Sequence, residues 1–348
     1  MPQTMKAAVL HGIDDIRVED VPKPELRAPD DCLIRIGACG ICGSDNHFFK
    51  HMRIGDFAVT SPMSLGHEAA GTIVEVGSEV KTLKVGDRVA IEPGVPCRKC
   101  EFCRSGRYNL CADVVFLAAP PYDGAFAEYL AWPADYLFKL PDNVSLEEGG
   151  MVEPFSVGLH AARRAGVRGG DWVLVTGAGP IGLCTLQAAK ANGATRIIIT
   201  DMVESRLENA MKLGATDTVN LSAQSAREAV ADLTAGRGVD VVLECSGAVP
   251  AVLDAVECVK RGGTVQLVGN FMVAMPEIPI QRMVERELSV SGLFRYANCY
   301  PPALEMISTG LVDVKSLITH RYPLSETPAA MKWVDENKDK VIKGVIEP

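Results

Sequence analysis

Four of the 11 cysteines of this 348-residue chain lie in one short polar segment. They follow the pattern C-x2-C-x2-C-x7-C within 15 residues and are Cys97, Cys100, Cys103 and Cys111. Four thiolates complete a tetrahedral shell around zinc and leave no coordination position open, so the segment is predicted to hold a structural zinc. A disulfide pair or four unrelated buried cysteines is the alternative, which the polar surroundings disfavour.

A second group of potential metal ligands is dispersed along the chain. Cys42, His67 and Glu153 offer a thiolate, an imidazole and a carboxylate. A catalytic zinc needs three protein ligands and one open position, and these residue types would supply the three. Each also has an ordinary alternative: His67 as a half-buried, hydrogen-bonded histidine, and Glu153 as a charge at a helix N-terminus before Pro154. The spacing alone does not decide between these readings.

A glycine-rich turn indicates a dinucleotide site. The apolar run 172–176 is typical of a strand buried on both faces, and it leads directly into a G-x-G-x-x-G sequence. The first glycine allows the tight turn, the second lets a pyrophosphate approach the backbone, and the third allows close packing of a helix whose N-terminus attracts negative charge. The cofactor-binding residues predicted here are Gly177, Gly179, Pro180, Ile181 and Gly182.

An acidic residue follows at the distance that this motif requires. Asp201 comes 19 residues after Gly182, at the predicted end of the next strand. Its carboxylate can accept hydrogen bonds from both hydroxyls of an adenosine ribose and would repel a 2′-phosphate, which predicts NAD rather than NADP. We assign Arg206 to the same cofactor site. The alternative is a glycine turn and a helix-capping aspartate without a ligand.

The elements that position these residues differ between the two halves of the chain. Up to about residue 150, short β-branched runs at 32–36, 71–76 and 87–91 predict a compact, mainly antiparallel β domain. From about residue 156, predicted strands at 172–176, 196–200, 239–244 and 263–268 alternate with helices, which indicates a parallel, doubly wound sheet. The tail from about residue 295 fits either domain.

The composition excludes several classes of protein. The length predicts roughly two domains, at about 150 residues each. A net charge of -9 is not the footprint of a nucleic-acid binder. The sequence contains no apolar run of about 18 residues that would span a membrane and no secretory signal, and its odd cysteine count argues against a disulfide framework. We therefore expect a cytoplasmic protein whose partner is a small molecule.

The motifs together resemble the zinc-dependent medium-chain dehydrogenase family, and within it the polyol branch of sorbitol and xylitol dehydrogenases. The resemblance covers nearly the whole chain and rests on 42–47, 66–68, 85–94, 153–158, the glycine turn and 294–298. It implies an α/β fold class with a GroES-like, mainly β catalytic domain at 1–155, completed by 295–348. A Rossmann NAD-binding domain with a doubly wound parallel sheet would occupy 156–294. Relatives are commonly tetramers, so a homotetramer is expected.

The resemblance also implies roles for individual residues. Cys42, His67 and Glu68 would hold the catalytic zinc, with Glu153 either a fourth ligand or bound through the zinc water, and the choice between the two glutamates stays open. With the four-cysteine site, two zinc ions per subunit are expected. Ser44 would relay the substrate proton, and His47 would continue the relay to solvent. The implied substrate pocket is lined by Phe48, Ile54, Phe116, Arg295 and Tyr296.

The activity that the resemblance implies is NAD-dependent oxidation of a polyol to a ketose, with zinc lowering the pKa of the substrate hydroxyl. The polyol would be of the sorbitol, xylitol or L-iditol type. Phe48 stands where some animal relatives carry a tyrosine, which leaves the polyol open, and Arg295 has a salt bridge as its alternative role. Another zinc dehydrogenase, acting on butanediol, threonine or galactitol, is the second reading. A nucleotide-binding scaffold without redox chemistry is the third, disfavoured because Cys42, His67 and Glu153 are all retained.

Overall fold

The computed structural model of this chain describes residues 3–271 and 278–348. The chain divides into two compact units. The first unit comprises Met1–Glu153, Tyr300–Thr309 and Val314–Pro348, and the second comprises Pro154–Cys299 and Gly310–Asp313. The domain boundaries expected at residues 155 and 295 stay predictions.

The described residues form β-strands and α-helices along the whole chain. The strands are β1 (Thr4–Gly12), β2 (Asp15–Pro22), β3 (Asp31–Gly40), β4 (Arg53–Ile54), β5 (Phe57–Ala58), β6 (Met63–Ser64), β7 (Glu68–Val76), β8 (Arg88–Ile91), β9 (Gly94–Val95), β10 (Val115–Phe116), β11 (Tyr129–Pro133), β12 (Leu137–Lys139), β13 (Trp172–Thr176), β14 (Arg196–Asp201), β15 (Asp217–Asn220), β16 (Val239–Glu244), β17 (Val259–Leu267), β18 (Ser289–Gly292), β19 (Ile318–Pro323) and β20 (Lys343–Glu347). The helices are α1 (Gly43–His51), α2 (Glu101–Arg104), α3 (Leu146–Gly150), α4 (Val152–Arg164), α5 (Pro180–Ala191), α6 (Glu204–Leu213), α7 (Ala226–Thr234), α8 (Val249–Cys258), α9 (Ile280–Glu285), α10 (Tyr300–Ser308) and α11 (Thr327–Glu336).

The first unit is built on a sheet with the strand order β12-β8-β7-β3-β20-β19, to which β11 adds by pairing with β3. These pairs are antiparallel except for β19 and β20, which run parallel. Ile34, Ile73 and Ile91 are buried in its core. Full burial of such a side chain contributes about 1.5–3 kcal/mol. The predicted mainly antiparallel β domain is confirmed.

The second unit contains a parallel sheet with the strand order β15-β14-β13-β16-β17-β18. Its central strands contribute Leu174, Ile198 and Val242, each without exposed surface. Strands buried in this way read as continuous apolar runs, which is why the sequence predicted them. The strand order reverses between β13 and β16, which is the position where doubly wound sheets bind ligands. The predicted parallel sheet is confirmed.

Two strands, β15 and β18, and two helices, α7 and α9, of the second unit were not predicted. The edge strand β15 has one buried residue, Val219, so it lacks the apolar run that marks the other strands. Helix α7 follows it and buries small side chains such as Ala226 and Ala229. Strand β17 begins at Val259 rather than at the predicted residue 263. Short or small-residue elements give weak periodicity, because packing rather than pattern defines them.

No helix within the described ranges is long and apolar enough to cross a membrane.

The three glycines of the turn after β13 have different steric reasons to be glycine. Gly177 has a φ of +85°, a conformation that residues with a β carbon rarely adopt. A β carbon at Gly182 would lie 1.8 Å from the carbonyl oxygen of Gly177, so this helix position must approach the turn closely. A β carbon at Gly179 would meet nothing within 4 Å. The surface above Gly179 is therefore open.

We expect Gly182→Ala to lower the midpoint of thermal unfolding by roughly 2–12 °C, because overpacking costs about 1–3 kcal/mol and each kcal/mol shifts the midpoint by about 2–4 °C. Gly179→Ala is the matched control and should unfold within about 1–2 °C of the wild type, since it adds the same methyl group to open space. Circular dichroism during heating measures both. Equal midpoints for the two variants would contradict the close packing of Gly182.

Candidate active site

The four predicted cysteines form one cluster in the first unit. They lie between β9 and β10, around α2 and a short 3-10 turn, and their sulfur atoms all lie within 4.8 Å of one another. The Sγ atoms of Cys100 and Cys103 are 3.3 Å apart, and those of Cys97 and Cys103 are 3.9 Å apart. A tetrahedral zinc with Zn–S bonds of about 2.3 Å separates its sulfurs by about 3.8 Å. The cluster fits zinc.

The backbone around Cys97 favours the charged form of its sulfur, whereas burial raises the pKa of Cys103 to about 12 and also raises the pKa of Cys111. N–H groups of Lys99 and Cys100 donate to Cys97 and lower the pKa of its thiol to about 6. The N–H of Cys97 in turn donates to Cys111 Sγ over 3.3 Å. Since the thiolate rather than the thiol binds metal, these N–H groups prepare the loop for a cation.

A second cluster of ligand atoms joins Cys42, His67 and Glu68, which also lie within 4.8 Å of one another. Cys42 is the N-cap of α1, His67 directly precedes β7, and Glu68 is the first residue of β7. Gly66 turns the chain before His67 with a φ of +89°, and a β carbon there would lie 2.5 Å from the Phe126 ring. Sulfur, nitrogen and oxygen donors of this kind suit zinc, so the residues fit a metal centre.

The surroundings of His67 attract positive charge. Burial alone would lower the pKa of His67, but the charges of Cys42, Asp45 and Glu153 outweigh burial and raise it to about 10. Asp45 is itself completely buried, and burial raises its pKa. The site therefore stabilises a cation beside the imidazole.

Asp45 also joins the two segments that carry the ligands. Asp45 Oδ2 accepts the N–H of Cys42 at 2.9 Å, and Asp45 Oδ1 accepts the N–H of Gly66 at 3.1 Å. The same Oδ1 lies 3.7 Å from His67 Nδ1. Sequence reasoning missed Asp45, although an aspartate three residues after a helix N-cap was a signal for a carboxylate that bonds backward to the cap.

Lys343 of β20 holds Glu68. Its Nζ lies 2.7 Å and 2.6 Å from the two carboxylate oxygens of Glu68 and donates to the carbonyl of Ile41 at 3.0 Å. Lys343 is 2% exposed and Glu68 is 0% exposed, and charges buried this deeply are tolerated when they are paired. An ionised carboxylate has about four acceptor positions, so Glu68 can bind Lys343 and a metal together. Lys343 was not predicted.

Glu153, near the start of α4, lies close to this cluster but is not one of its three members. It is 5% exposed, and its charge contributes to the raised pKa of His67. It also contributes to the pKa of Glu92, which burial raises to about 7. The geometry places Glu68 among the ligand atoms and Glu153 beside them, and the ligand role of each stays a prediction.

The expected proton relay lies on α1. Ser44 follows Cys42 by two residues, and His47 comes one helical turn after Ser44, so both occupy the same side of the helix. Burial and the positive charges of His51 and Lys338 lower the pKa of His47. His47 is therefore available to accept a proton at neutral pH.

Three of the predicted substrate residues lie in the first unit. Phe48 is buried on α1, and Ile54 is half-buried in β4. Phe116 is buried in β10, and its ring centre lies 5.7 Å from that of His67. Phe116 is thus an apolar wall beside the metal ligands.

The other two substrate residues lie in the second unit, in the segment after β18. Tyr296 is buried, and Arg295 has its guanidinium 4.7 Å from the centre of the Phe294 ring. Arg295 has a φ of +53°, which is uncommon for a residue with a β carbon and often marks functional segments. The substrate role of both residues stays a prediction.

The predicted cofactor residues come together in the second unit. Pro180 and Ile181 begin α5 directly after the open surface of Gly179, where the N-terminus of the helix can face a pyrophosphate. Asp201 ends β14, the neighbour of β13, and accepts the N–H of Ala178 at 2.7 Å. The turn and the carboxylate are therefore fixed relative to each other, as a dinucleotide site requires.

Asp201 is held by further backbone groups. Its other oxygen accepts the N–H groups of Met202 and Val203 at 2.8 Å and 2.9 Å. Arg206 lies with Nη1 3.9 Å from Asp201 Oδ2. A carboxylate in this place favours the free hydroxyls of NAD, while an arginine nearby is the residue type that accommodates a 2′-phosphate. The residues fit a dinucleotide, and the preference depends on the balance of these two charges.

Fold and clusters together define a dinucleotide-dependent dehydrogenase with zinc ligands. Residues 28–142 match the family model described as alcohol dehydrogenase GroES-like domain, and residues 180–309 match the one described as zinc-binding dehydrogenase. A sorbitol dehydrogenase of Bacillus subtilis is 46% identical over 100% of this chain and 98% of its own length.

Solved structures agree with this result. An oxidoreductase of unknown specificity from Escherichia coli, involved in membrane biogenesis, has a TM-score of 0.95 and 41% identity and covers 99% of both chains. A zinc-binding dehydrogenase of Sinorhizobium meliloti, solved with NADP, has a TM-score of 0.91 and 34% identity over 99% of this chain and 100% of that one. The chain belongs to the zinc-dependent medium-chain dehydrogenase family, in its polyol branch. The predicted GroES-like and Rossmann fold class is confirmed, and the protein is an oxidoreductase that uses zinc and a nicotinamide dinucleotide.

Cys42→Ser and Cys103→Ser are expected to remove different zinc ions. Each variant should contain about one zinc per chain where the wild type contains about two, because each loses one ligand of one cluster. Cys103→Ser should also lower the thermal midpoint, since a structural zinc contributes folding energy, whereas Cys42→Ser should abolish turnover. Elemental analysis of the purified proteins measures the zinc.

The control is Cys258→Ser, which replaces a buried cysteine of the second unit that belongs to neither cluster. It should keep the zinc content of the wild type. Full zinc content in Cys42→Ser would show that the cluster of Cys42, His67 and Glu68 is not a metal centre.

Proposed function

We propose that this enzyme oxidises a secondary hydroxyl of a polyol to a ketone, giving a ketose, with NAD as the oxidant. The substrate class is that of sorbitol, xylitol and L-iditol. The observation that carries the proposal is the cluster of Cys42, His67 and Glu68, with Glu153 beside it, in a chain 46% identical to a sorbitol dehydrogenase over its whole length. A carboxylate-rich zinc environment of this kind matches the polyol branch.

The cofactors and the chain divide the chemistry. Zinc, when bound, supplies a Lewis acid that lowers the pKa of the substrate hydroxyl, and NAD, when bound, accepts the hydride from the carbon that carries this hydroxyl. Cys42, His67 and Glu68 would hold the metal, and Asp45 and Lys343 hold these ligands in place through the hydrogen bonds described above. Glu153 would bind the metal through a water molecule rather than directly, because it lies outside the ligand cluster.

The proton of the substrate hydroxyl leaves through α1 in this proposal. Ser44 Oγ accepts that proton as it gives its own to His47, one helical turn away. The lowered pKa of His47 keeps its ring neutral and able to accept at neutral pH. His47 then returns the proton to solvent, so the relay is restored after each turnover.

The substrate residues that the resemblance implies support the proposed preference for several adjacent hydroxyls. Arg295 carries five donors in a rigid plane, which suits a chain of hydroxyl oxygens better than a single alcohol. Phe48 and Phe116 supply apolar surface for the carbon chain. Dehydrogenation of butanediol, threonine or galactitol remains the alternative, and the substrate profile separates it from polyol oxidation. We also propose two zinc ions per chain and a homotetramer, the latter by resemblance.

The enzyme is expected to reduce NAD with xylitol and sorbitol at a kcat/KM at least about tenfold above that with 2,3-butanediol or threonine. Incubation with a chelator should remove this activity, and added zinc should restore it. NADH absorbance with each substrate measures both effects. Arg295→Leu should reduce the polyol rates more than the butanediol rate, and a preference for butanediol in the wild type would refute the polyol assignment.

Asp201→Ser is expected to lower kcat/KM with NAD about tenfold or more and to raise it with NADP, because the variant loses the acceptor for the ribose hydroxyls and the repulsion of the 2′-phosphate. Arg206→Ala is the matched variant: it should reduce use of NADP in the Asp201→Ser background. Initial rates with both cofactors at saturating polyol measure the ratio. An unchanged ratio in Asp201→Ser would place the adenosine ribose elsewhere.

A further inference from the structure

Glu244 is a buried carboxylate that the chemistry above does not use. It is the last residue of β16 and has no exposed surface. Its Oε1 accepts the hydroxyl of Thr176 at 3.2 Å, the N–H of Ser246 at 2.9 Å and the N–H of Gly247 at 3.0 Å, and it also accepts the Ser246 hydroxyl. One oxygen atom therefore fixes the end of β13 and the segment after β16.

The backbone of Glu244 fixes a second segment. Its carbonyl accepts the N–H groups of Val268 at 2.8 Å and Gly269 at 3.0 Å, directly after β17. We call Cys245–Ala248 the β16 loop and Val268–Asn270 the β17 loop. Glu244 therefore bonds to both loops, to one through its side chain and to the other through its main chain.

The two loops touch each other through their backbones. A β carbon at Gly269 would lie 2.2 Å from the nitrogen of Gly247, and one at Gly247 would lie 2.5 Å from the carbonyl oxygen of Asn270. A β carbon at Gly177 would lie 3.1 Å from Cα of Ser246, so the β16 loop also adjoins the glycine turn. Contacts this close require that the loops keep one conformation.

The strand order shows which half of a dinucleotide these loops would meet. Asp201, the residue for the adenosine ribose, ends β14, and the open surface for the pyrophosphate follows β13. In the sheet, β16 and β17 lie on the opposite side of β13 from β14. Because a dinucleotide crosses such a sheet at the reversal of strand order, its nicotinamide half would lie over the ends of β16 and β17.

We propose that Glu244 is a positioning residue for the nicotinamide half of the cofactor. This inference rests on the proposed use of NAD. Its Oε2 has no hydrogen-bond donor among the described residues and lies 2.8 Å from the position that a Gly269 β carbon would take. Burying a carboxylate without an ion-pair partner is costly. We therefore infer that its Oε1 hydrogen bonds hold the β16 loop more firmly than a neutral side chain would.

The experiment compares Glu244→Gln with the wild type in the binding of two nucleotides. Glutamine keeps the shape but replaces the charged acceptor, so the β16 loop is held less firmly. NADH, followed by its fluorescence, should bind about tenfold more weakly, whereas ADP, which lacks the nicotinamide half, should bind within about twofold of the wild type. KM for NAD should rise, and KM for the polyol should stay the same.

Asp240→Asn is the matched control because Asp240 lies on the same strand, four positions earlier, at the end away from the cofactor. Its carboxylate accepts hydrogen bonds from the Trp172 N–H and from the side chains of Arg237 and Lys260. Burial would raise the pKa of Asp240, but these hydrogen bonds outweigh burial and lower the pKa to about 2. Asp240→Asn should lower the midpoint of thermal unfolding, and its affinity for NADH should stay within about twofold of that of the wild type.

Ser246→Ala is the second variant in case Glu244→Gln does not fold. It removes one hydroxyl donor to Oε1 and should weaken NADH binding about threefold with ADP unchanged. The inference is overturned if these variants bind NADH as the wild type does, if ADP binding weakens equally, or if Asp240→Asn has the same effect. Failure of the wild type to bind NADH would instead refute the proposed use of NAD.

Discussion

The negative charge buried around His67 needs positive charge beside it. Asp45, Glu68 and Glu153 are buried carboxylates near this imidazole, and the half-buried Cys42 lies beside it. Leaving a buried charge unpaired costs several kcal/mol. Lys343 compensates Glu68, and the raised pKa of His67 shows where a further cation is favoured. A metal ion at this place would therefore contribute to the charge balance of the folded unit, and its binding energy would be linked to folding.

This charge balance requires that distant parts of the chain meet. Lys343 and Glu68 are separated by 275 residues, and their ion pair joins the last strand of the chain to β7. Asp45 performs the corresponding task between α1 and the turn at Gly66. The first unit therefore needs segments from both ends of the chain to place these residues, and β20 comes close to β7 because both strands pair with β3.

The sequence predicted the sites whose residues lie close together along the chain, and it missed residues whose contacts join distant segments. The four cysteines and the glycine turn have their geometry encoded in short spacings, and the structure brings each set together. Lys343 has no such pattern, because its partner Glu68 lies on another strand and becomes its neighbour when the sheet forms. Asp45 and Glu244 each have local partners, but their second contacts, to Gly66 and to Thr176, come from distant segments that no spacing indicates. The choice between Glu68 and Glu153 as ligand could not be made from sequence, since it depends on distances between carboxylate oxygens and the other ligand atoms. The edge strand β15 was missed because one buried side chain gives no periodicity.

Both units prepare their sites in the same physical way. Asp45 and Asp201 are carboxylates that each accept backbone N–H groups from two segments. The carboxylate of Glu244 accepts the Thr176 hydroxyl and the N–H groups of Ser246 and Gly247, so it also joins two segments. Hydrogen bonds to a charged acceptor are stronger than neutral ones, so a single carboxylate can hold a loop that would otherwise sample several conformations. A loop that is ordered before the ligand arrives lowers the entropic cost of binding. Hydride transfer tolerates little misplacement of the reacting carbons, and ordered loops of this kind would limit that misplacement without any of the three carboxylates touching the substrate.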